Sequence, residues 1–220
     1  MHGEGTTGVD IITISREYGA GGSELARQLG DLLGWPVLDR DIVQRVADRL
    51  RLDQQTVEQM DEHPPGVLDR IATMLLMPPV ESPVLLDTSD IPSSDSVADA
   101  ARRVILEMVE SPPLIVVGHG GQSLLRARAG TLHIRLVAPI GERVKRICAR
   151  EECTPDDATA RIRRIDADRR AYVRRYYQGD WDDPLLYDIQ LNTARVAIEE
   201  CTRMIAGLVR ARGGVPAGSG

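Results

Sequence analysis

The spacing of apolar residues changes repeatedly along the chain, between continuous β-branched runs and the three- and four-residue periods of amphipathic helices. The continuous runs predict strands at 9–15, 35–40, 112–117, 132–138 and 186–193. Helical spacing predicts helices at 23–34, 41–52, 53–63, 66–77, 97–110, 139–152, 154–177 and 195–211. Strands that alternate with helices indicate an α/β fold, with a parallel sheet and helices on both of its faces.

Several residues at the ends of these elements have recognisable local roles. Ser23 is expected to cap the first helix and Gly34 to stop it. Thr154 and Pro155 are typical of a helix N-terminus. Residues 78–96 contain four prolines and six Ser or Thr, which predicts a mobile loop or the boundary of a lobe.

Length and composition limit the class of protein. The 220 residues suit one α/β domain, and because 42% are apolar and Phe is absent, its core must be aliphatic. No apolar stretch approaches the ~20 residues of a membrane helix, and the first residues do not form a signal-peptide pattern. Three cysteines without zinc spacing favour a reducing compartment, so we expect a cytoplasmic protein with no membrane partner.

Charge is distributed unevenly along the chain. The net charge of −6 argues against nucleic-acid binding as the main activity. Residues 143–175 nevertheless hold eleven basic and six acidic side chains, so this segment carries +5 and the rest of the chain −11. Lys145 is the only lysine, which genomic composition bias could also explain. Any phosphate bound here must therefore be held by arginines, backbone amides and metal.

A glycine-rich turn, "REYGAGGS", separates the first strand from the first helix. Glycines at such a junction let consecutive amides point inward beside a helix N-terminus, which forms an anion-binding nest. Against the motif G-x-x-x-x-G-K-[ST], Arg16 stands at the first Gly, Gly21 at the second, Gly22 at the Lys and Ser23 at the Ser/Thr. The Ser23 hydroxyl is a candidate Mg²⁺ ligand. A tight turn without a ligand is the alternative, whereas the dinucleotide motif G-x-G-x-x-G does not fit.

Four ordered motifs between about residues 10 and 210 resemble the cytidylate-kinase-like family. They are "ITISREYGAGGSELARQLGDLLGWPVLDRDIV", "LIVVGHGGQSLL", "IRLVAPIGERVKRI" and "DADRRAYVRRYYQGDWDDPLLYDIQLNT". The family often has Gly in place of the P-loop lysine. The resemblance implies a P-loop NTPase-type three-layer sandwich within a single domain, 1–210. It also implies an acceptor-binding insertion at about 40–100 and a lid at about 150–182. The last residues, 211–220, are predicted from their composition to form a disordered tail.

The resemblance further implies an enzyme that uses ATP and Mg²⁺ to phosphorylate a nucleoside monophosphate, with CMP or dCMP favoured. The residues it assigns to the ATP site are Gly19, Ala20, Gly21, Gly22, Ser23, Glu24, Asn192 and Thr193. Those it assigns to the acceptor site are Asp39, Arg40, Gly118, His119, Gly120 and Asp166. His119 stands where kinases of this kind use an arginine to hold the acceptor phosphate. An imidazole there could titrate near neutrality against a phosphate, and the alternative is a histidine with only a structural role in the glycine turn.

Phosphoryl transfer requires in-line positioning and positive charge around the transferred group. We expect Arg16, Asp39, Arg169 and Arg170 to be catalytic, with Arg16 taking the place of the lysine. Alternatively, the lid arginines form a solvated helix face that pairs with Asp166 and Asp168, and Asp39 caps the following helix.

Two other functions stay open. One is a regulatory or scaffold protein that binds a nucleotide without catalysis, and the other is a kinase of a non-nucleotide metabolite. A homodimer is compatible with the sequence.

Overall fold

A computed structural model describes residues 8–39 and 94–214 of the chain. The chain divides into two compact units, one formed by residues up to 39 and from 109 onward, and the other by residues 40–108. The predicted helices between 41 and 77, and the predicted loop as far as residue 93, lie outside the described residues.

The first unit contains a parallel sheet, which has five strands in the described residues. They are β1 (Ile11–Arg16), β2 (Val37–Leu38), β3 (Leu114–Val117), β4 (Thr131–Val137) and β5 (Ile189–Asn192). Their order across the sheet is β2-β3-β1-β4-β5, with Ile11 of β1 opposite Leu114 and Thr131. Because all strands run the same way, their carboxyl ends meet at one edge, where α/β sheets bind ligands.

Helices connect the strands. In chain order they are α1 (Gly22–Leu33), α2 (Ser94–Met108), α3 (Gly121–Leu124), α4 (Ile140–Glu151), α5 (Pro155–Tyr177) and α6 (Ile198–Ala211), with a 3₁₀ turn at Pro184–Leu186. Helix α2 belongs to the second unit, and Val104 and Ile105 on it are buried. Among the described residues, none of the helices is both long enough and apolar enough to cross a bilayer.

The two faces of the sheet differ in chemistry. Ile12 and Ile14 of β1 point into an aliphatic core together with Leu25 and Leu29 of α1 and Ile205 of α6. The alternate positions of β1 and β4 place polar side chains on the opposite face, and these are Thr13, Ser15, His133 and Arg135. They are buried but bonded, since His133 Nδ1 lies 2.7 Å from Thr13 Oγ1 and Trp181 Nε1 donates to Ser15 Oγ at 2.8 Å.

Most of the predicted elements in the described residues are confirmed, with three corrections at their ends. Ser23 does not cap α1, because Gly21 occupies the N-cap position and Ser23 donates elsewhere. Helix α2 begins at Ser94, inside the predicted loop. The second strand is reduced to Val37–Leu38 at the sheet edge, where Pro36 precedes it. Gly34 stops α1 with φ 69°, and Thr154 caps α5, as predicted.

Candidate functional site

The loop between β1 and α1 is formed around two glycines in the left-handed region. Gly19 has φ 82° and Gly21 has φ 88°. A Cβ atom at Gly19 would lie 3.0 Å from Ile147 Cδ1, and one at Gly21 would lie 2.7 Å from Ile198 Cδ1. Both positions therefore require glycine for conformation and for space.

Side chains from other elements hold the carbonyl oxygens of this loop. The donor–acceptor pairs are Arg169 Nη1 to Arg16 O (2.6 Å), Arg143 Nη1 to Tyr18 O (3.3 Å), Arg146 Nη1 to Gly19 O (3.5 Å) and Thr193 Oγ1 to Ala20 O (3.0 Å). The amides of the first turn of α1, Gly22 to Glu24, have no acceptor within the helix. With these carbonyls engaged by side chains, the amides and the helix dipole fit the predicted anion-binding nest.

Arg16 occupies the space that a side chain at position 22 would need. A Cβ atom at Gly22 would lie 2.6 Å from Arg16 Cγ and 2.9 Å from its Cβ. The far end of Arg16 lies against Gly118, where an added Cβ would overlap Nη1. Arg16 Nη2 is 3.7 Å from Asp39 Oδ1, and burial lowers the pKa of Arg16 despite this carboxylate. The guanidinium thus stands between the two glycine turns predicted to bind donor and acceptor.

Ser23 and Asp39 meet beside the loop. Ser23 Oγ donates to Asp39 Oδ2 at 3.1 Å. A hydroxyl and a carboxylate are the hard oxygen ligands that Mg²⁺ uses when it also binds substrate phosphates and water. In the part of the chain that the structure describes, no group of three His, Cys, Asp or Glu side chains could hold a metal without such help. The pair therefore fits a magnesium ion that arrives with a nucleotide.

The second glycine turn follows β3 and has three successive residues with positive φ. The values are 80° for Gly118, 52° for His119 and 68° for Gly120. Gly118 N donates to Ile14 O at 3.0 Å, and Tyr177 Oη donates to His119 O at 3.1 Å. Burial, and next the nearby Arg16 charge, lower the pKa of His119 to about 4. Without a ligand His119 is therefore neutral at pH 7, and its titration against a bound phosphate stays a prediction.

The two arginines of α5 that are predicted to lie on a lid, Arg169 and Arg170, have different environments. Arg169 lies beside the loop, bonded to the Arg16 carbonyl, and burial and the Arg16 charge lower its pKa to about 9. Arg170 Nε donates to Asp182 Oδ2 at 2.5 Å and its guanidinium lies 5.3 Å from the Trp181 ring centroid. The expected pairing with Asp166 is weak for Arg169, at 3.9 Å. Of the two, Arg169 is the one adjacent to the nest.

Asp166, expected to contact the acceptor, is buried and already holds two protein donors. Its Oδ1 accepts from Tyr18 N at 2.8 Å and its Oδ2 from Arg143 Nη1 at 2.6 Å. Contact between Asp166 and an acceptor stays a prediction. Such a contact would require the carboxylate to accept a third hydrogen bond.

The remaining predicted residues lie at the margins of the site. Asn192, at the end of β5, accepts from Ala194 N at 3.0 Å, and Thr193 accepts from Arg146 Nη1 at 2.8 Å. The Glu24 side chain pairs with Arg27 and Gln28, so its backbone amide is the group available to the nest. Arg40 lies outside the described residues.

From the sequence, Arg143 and Arg146 were predicted only to be part of the basic segment 143–175. Both instead donate to the loop carbonyls, and Tyr177 fixes the second turn. Their spacing of three on one helix face could have indicated a shared target. Which backbone oxygens they reach depends on the sheet order.

Comparison with known proteins agrees with this geometry. The profile of the Cytidylate kinase-like family matches residues 11–195, and the chain belongs to that family. A cytidylate kinase of Halobacterium salinarum is 34% identical over 80 residues, 36% of this chain and 42% of that protein. A cytidylate kinase of Sulfolobus acidocaldarius is 30% identical over 96 residues, 44% of this chain and 52% of that protein. The chain thus spans about half the length of these relatives.

Solved structures with the same fold include kinases. A protein from Eubacterium ventriosum superposes with a TM-score of 0.66 at 18% identity, covering 91% of this chain and 98% of the other. Shikimate kinase from Bacteroides thetaiotaomicron (TM-score 0.51, 11% identity, 93% and 99% covered) and a gluconokinase from Sinorhizobium meliloti (0.51, 16%, 92% and 93%) also match. At these identities the likeness is one of fold, the P-loop α/β fold.

Proposed function

We propose that this protein transfers the γ-phosphoryl group of ATP, with Mg²⁺, to a nucleoside monophosphate, with CMP or dCMP as the favoured acceptor. The observation that carries the proposal is the position of Arg16, between the phosphate-binding loop and the second glycine turn. The Arg16 guanidinium can supply positive charge to both turns. Gly22 stands where a P-loop has its lysine, and His119 stands where related kinases have an arginine.

The chemistry requires little covalent participation by the protein. The amides at the start of α1 bind the donor phosphates, while Arg16 and Arg169 place positive charge where the equatorial oxygens of the transferred group accumulate negative charge. Bound Mg²⁺, held at Ser23 and Asp39, would add charge neutralisation between donor phosphates. Asp39 also lies where it can orient the attacking oxygen, because it follows β2 at the carboxyl edge of the sheet.

The electrostatics of the loop favour an anionic ligand. Burial lowers the pKa values of both Arg16 and Arg169, and the Arg16 charge lowers the pKa of Arg169 further, so two guanidinium groups are held close together in the absence of a phosphate. A triphosphate would relieve this repulsion. Perturbed groups assembled at the ligand-binding edge of a parallel sheet are typical of a functional site.

The choice of acceptor rests on family membership and on the printed names of the two relatives, which are cytidylate kinases. A neutral His119 offers one donor where an arginine offers a fork, so acceptor binding depends more on Arg16. We also propose a cytoplasmic location, supported by three free cysteines.

A second candidate function is nucleotide binding without turnover. It is favoured by the 3.7 Å contact between Arg16 and Asp39, which partly neutralises the cation on which transfer would depend.

A coupled ADP-release assay with MgATP and a panel of monophosphates separates the two functions. Turnover with CMP or dCMP supports the kinase. MgATP binding by calorimetry with no turnover on any acceptor supports the binding protein. If well-folded protein gives no calorimetric signal with MgATP, both fail.

A further inference from the structure

Arg143 of α4 and Asp166 of α5 form a buried ion pair next to the loop. Arg143 Nη1 lies 2.6 Å from Asp166 Oδ2, and their side chains are 9% and 5% exposed. Replacing such a pair by apolar side chains is often neutral or stabilising, because desolvation offsets the Coulomb attraction. Stability alone therefore does not account for it.

The pair holds one loop residue, Tyr18, by both of its backbone groups. Asp166 Oδ1 accepts from Tyr18 N at 2.8 Å, and Arg143 Nη1 donates to Tyr18 O at 3.3 Å. Tyr18 directly precedes Gly19, the first left-handed residue of the nest. Fixing the peptide groups on either side of Tyr18 restricts the orientation of the amides that follow.

The pair is itself fixed to the end of the sheet. Arg143 Nε donates to Ala138 O at 2.8 Å, one residue beyond β4. Ala138 N donates at 3.0 Å to Glu17 Oε2, which also lies 3.5 Å from Arg143 Nε. The position of the loop is thereby fixed relative to β4 as well as to β1.

On α5, Asp166 and Arg169 are three residues apart and share a helix face. Asp166 holds the loop at Tyr18, and Arg169 holds it at the Arg16 carbonyl. The lid helix therefore contacts the loop on both sides of Glu17.

We infer that Arg143 and Asp166 are positioning residues: they keep the phosphate-binding loop in its anion-binding form before a nucleotide arrives. This inference rests on the proposed function, and it gives Asp166 a role through the loop in addition to the predicted contact with an acceptor. Arg143 and Asp166 act on affinity through preorganisation, since a loop that is already ordered loses less entropy when it binds.

The test compares Asp166→Asn with Asp10→Asn, each in the full chain. Asp10 forms a similar pair with Arg128 at 2.5 Å, half-buried and before β1, at the opposite edge of the sheet from the loop. Asn at 166 keeps the size and an acceptor for Tyr18 N but removes the charge that holds Arg143. Calorimetric Kd for MgATP and thermal unfolding are measured for both variants and the parent protein.

We expect both substitutions to lower Tm. Only Asp166→Asn should weaken MgATP binding, with a Kd higher by roughly tenfold or more, which corresponds to a loss of about 1.4 kcal/mol in binding free energy. Arg143→Lys, which keeps the charge but loses the fork to Tyr18 and Ala138, should weaken binding in the same direction. Equal Kd values for Asp166→Asn and Asp10→Asn would overturn the inference. Absence of MgATP binding by the parent protein would instead contradict the proposed function.

Hydrogen exchange of the parent protein without nucleotide decides the matter if Asp166→Asn does not fold or if the parent does not bind. A pre-positioned loop requires the Tyr18 amide to exchange at least ~100-fold more slowly than an unstructured chain, as a bonded amide in a locally stable segment does. Exchange at the unprotected rate would show that the pair does not hold the loop.

Discussion

The two glycine turns at the carboxyl edge of the sheet are stabilised in different ways. The first lies in the loop of residues 16–22, whose carbonyl oxygens are held by arginines of α4 and α5 and by the threonine that follows β5. The second, at residues 118–120, is fixed by a β1 carbonyl and by Tyr177, and it contributes a neutral histidine. The first turn is thus prepared for an anion, whereas the second depends for its charge on Arg16, a residue of the first strand.

This difference separates arginines that build the site from those expected to act in it. Arg143 and Arg146 use their donors on protein carbonyls. Arg16 and Arg169 lie near each other, and each has only a long ion pair with a carboxylate, at 3.7 Å to Asp39 and 3.9 Å to Asp166. Within the basic segment 143–175, Arg143 and Arg146 are therefore structural, whereas Arg169 lies beside the nest.

If Arg16 serves both turns, Arg16→Ala should have the largest effect. We expect kcat to fall by at least ~10³-fold, the scale of a lost transition-state arginine. Coupled ADP release measures it, and Arg27→Ala, which removes an exposed arginine of α1 paired to Glu24 and Asp31, is the control. A decrease of less than tenfold would mean that the two turns do not share this cation.

Gly118→Ala tests the contact between Arg16 and the second glycine turn. The added methyl group would overlap the Arg16 guanidinium, so we expect kcat/KM to fall ~100-fold, the order expected when a catalytic group is misplaced. Gly213→Ala is a matched control, because Gly213 also has a positive φ of 66° but has no atom within 4 Å of the added Cβ. Both variants should lose stability through strain, and equal activity in the two would contradict a role for Arg16 at the second turn.

The lid arginines should differ in the same assay. Arg169→Ala is expected to lower kcat ~100-fold, because its charge lies beside the nest. Arg170→Ala should lower it less than about tenfold, since Arg170 is 42% exposed and already paired with Asp182. A larger loss for Arg170→Ala would mean that Arg170 leaves Asp182 to contact the phosphates during turnover.

The last prediction concerns the pH dependence of stability and not activity. The folded protein lowers the pKa of His119 to about 4, so between about pH 6.5 and 4 the unfolded chain binds the extra proton. Stability is full above this window and decreases as the pH falls through it, by no more than about 3 kcal/mol. His119→Asn, which tolerates the φ of 52°, should remove this part of the pH dependence of Tm. Parallel pH profiles of the two proteins would contradict the buried neutral histidine.

The fold followed from the sequence because its signals are local. Continuous apolar strands, Gly34 after α1 and Thr154 before α5 determine element type and ends without reference to the rest of the chain. The first errors appear where a local signal competes with a distant partner. Ser23 has good capping chemistry, but its hydroxyl reaches Asp39, sixteen residues away.

The site was predictable in outline only. The glycine motif located the nest, and the family resemblance located Arg16, Asp39 and the second turn. The partners of Arg143 and Asp166 could not be predicted, because they are backbone groups of Tyr18, more than 120 residues away. That pairing follows from sheet order and helix packing, which leave no trace in residue spacing.

The packing of Arg16 on Gly22 also limits how this chain could change over generations. Gly22→Lys alone would push a Cβ into the Arg16 stem, and loss of Arg16 alone would remove the proposed catalytic cation. Either single substitution is therefore expected to give a less active protein. Proteins descended from a sequence with this loop are therefore expected to keep both Arg16 and Gly22, or to replace the two together.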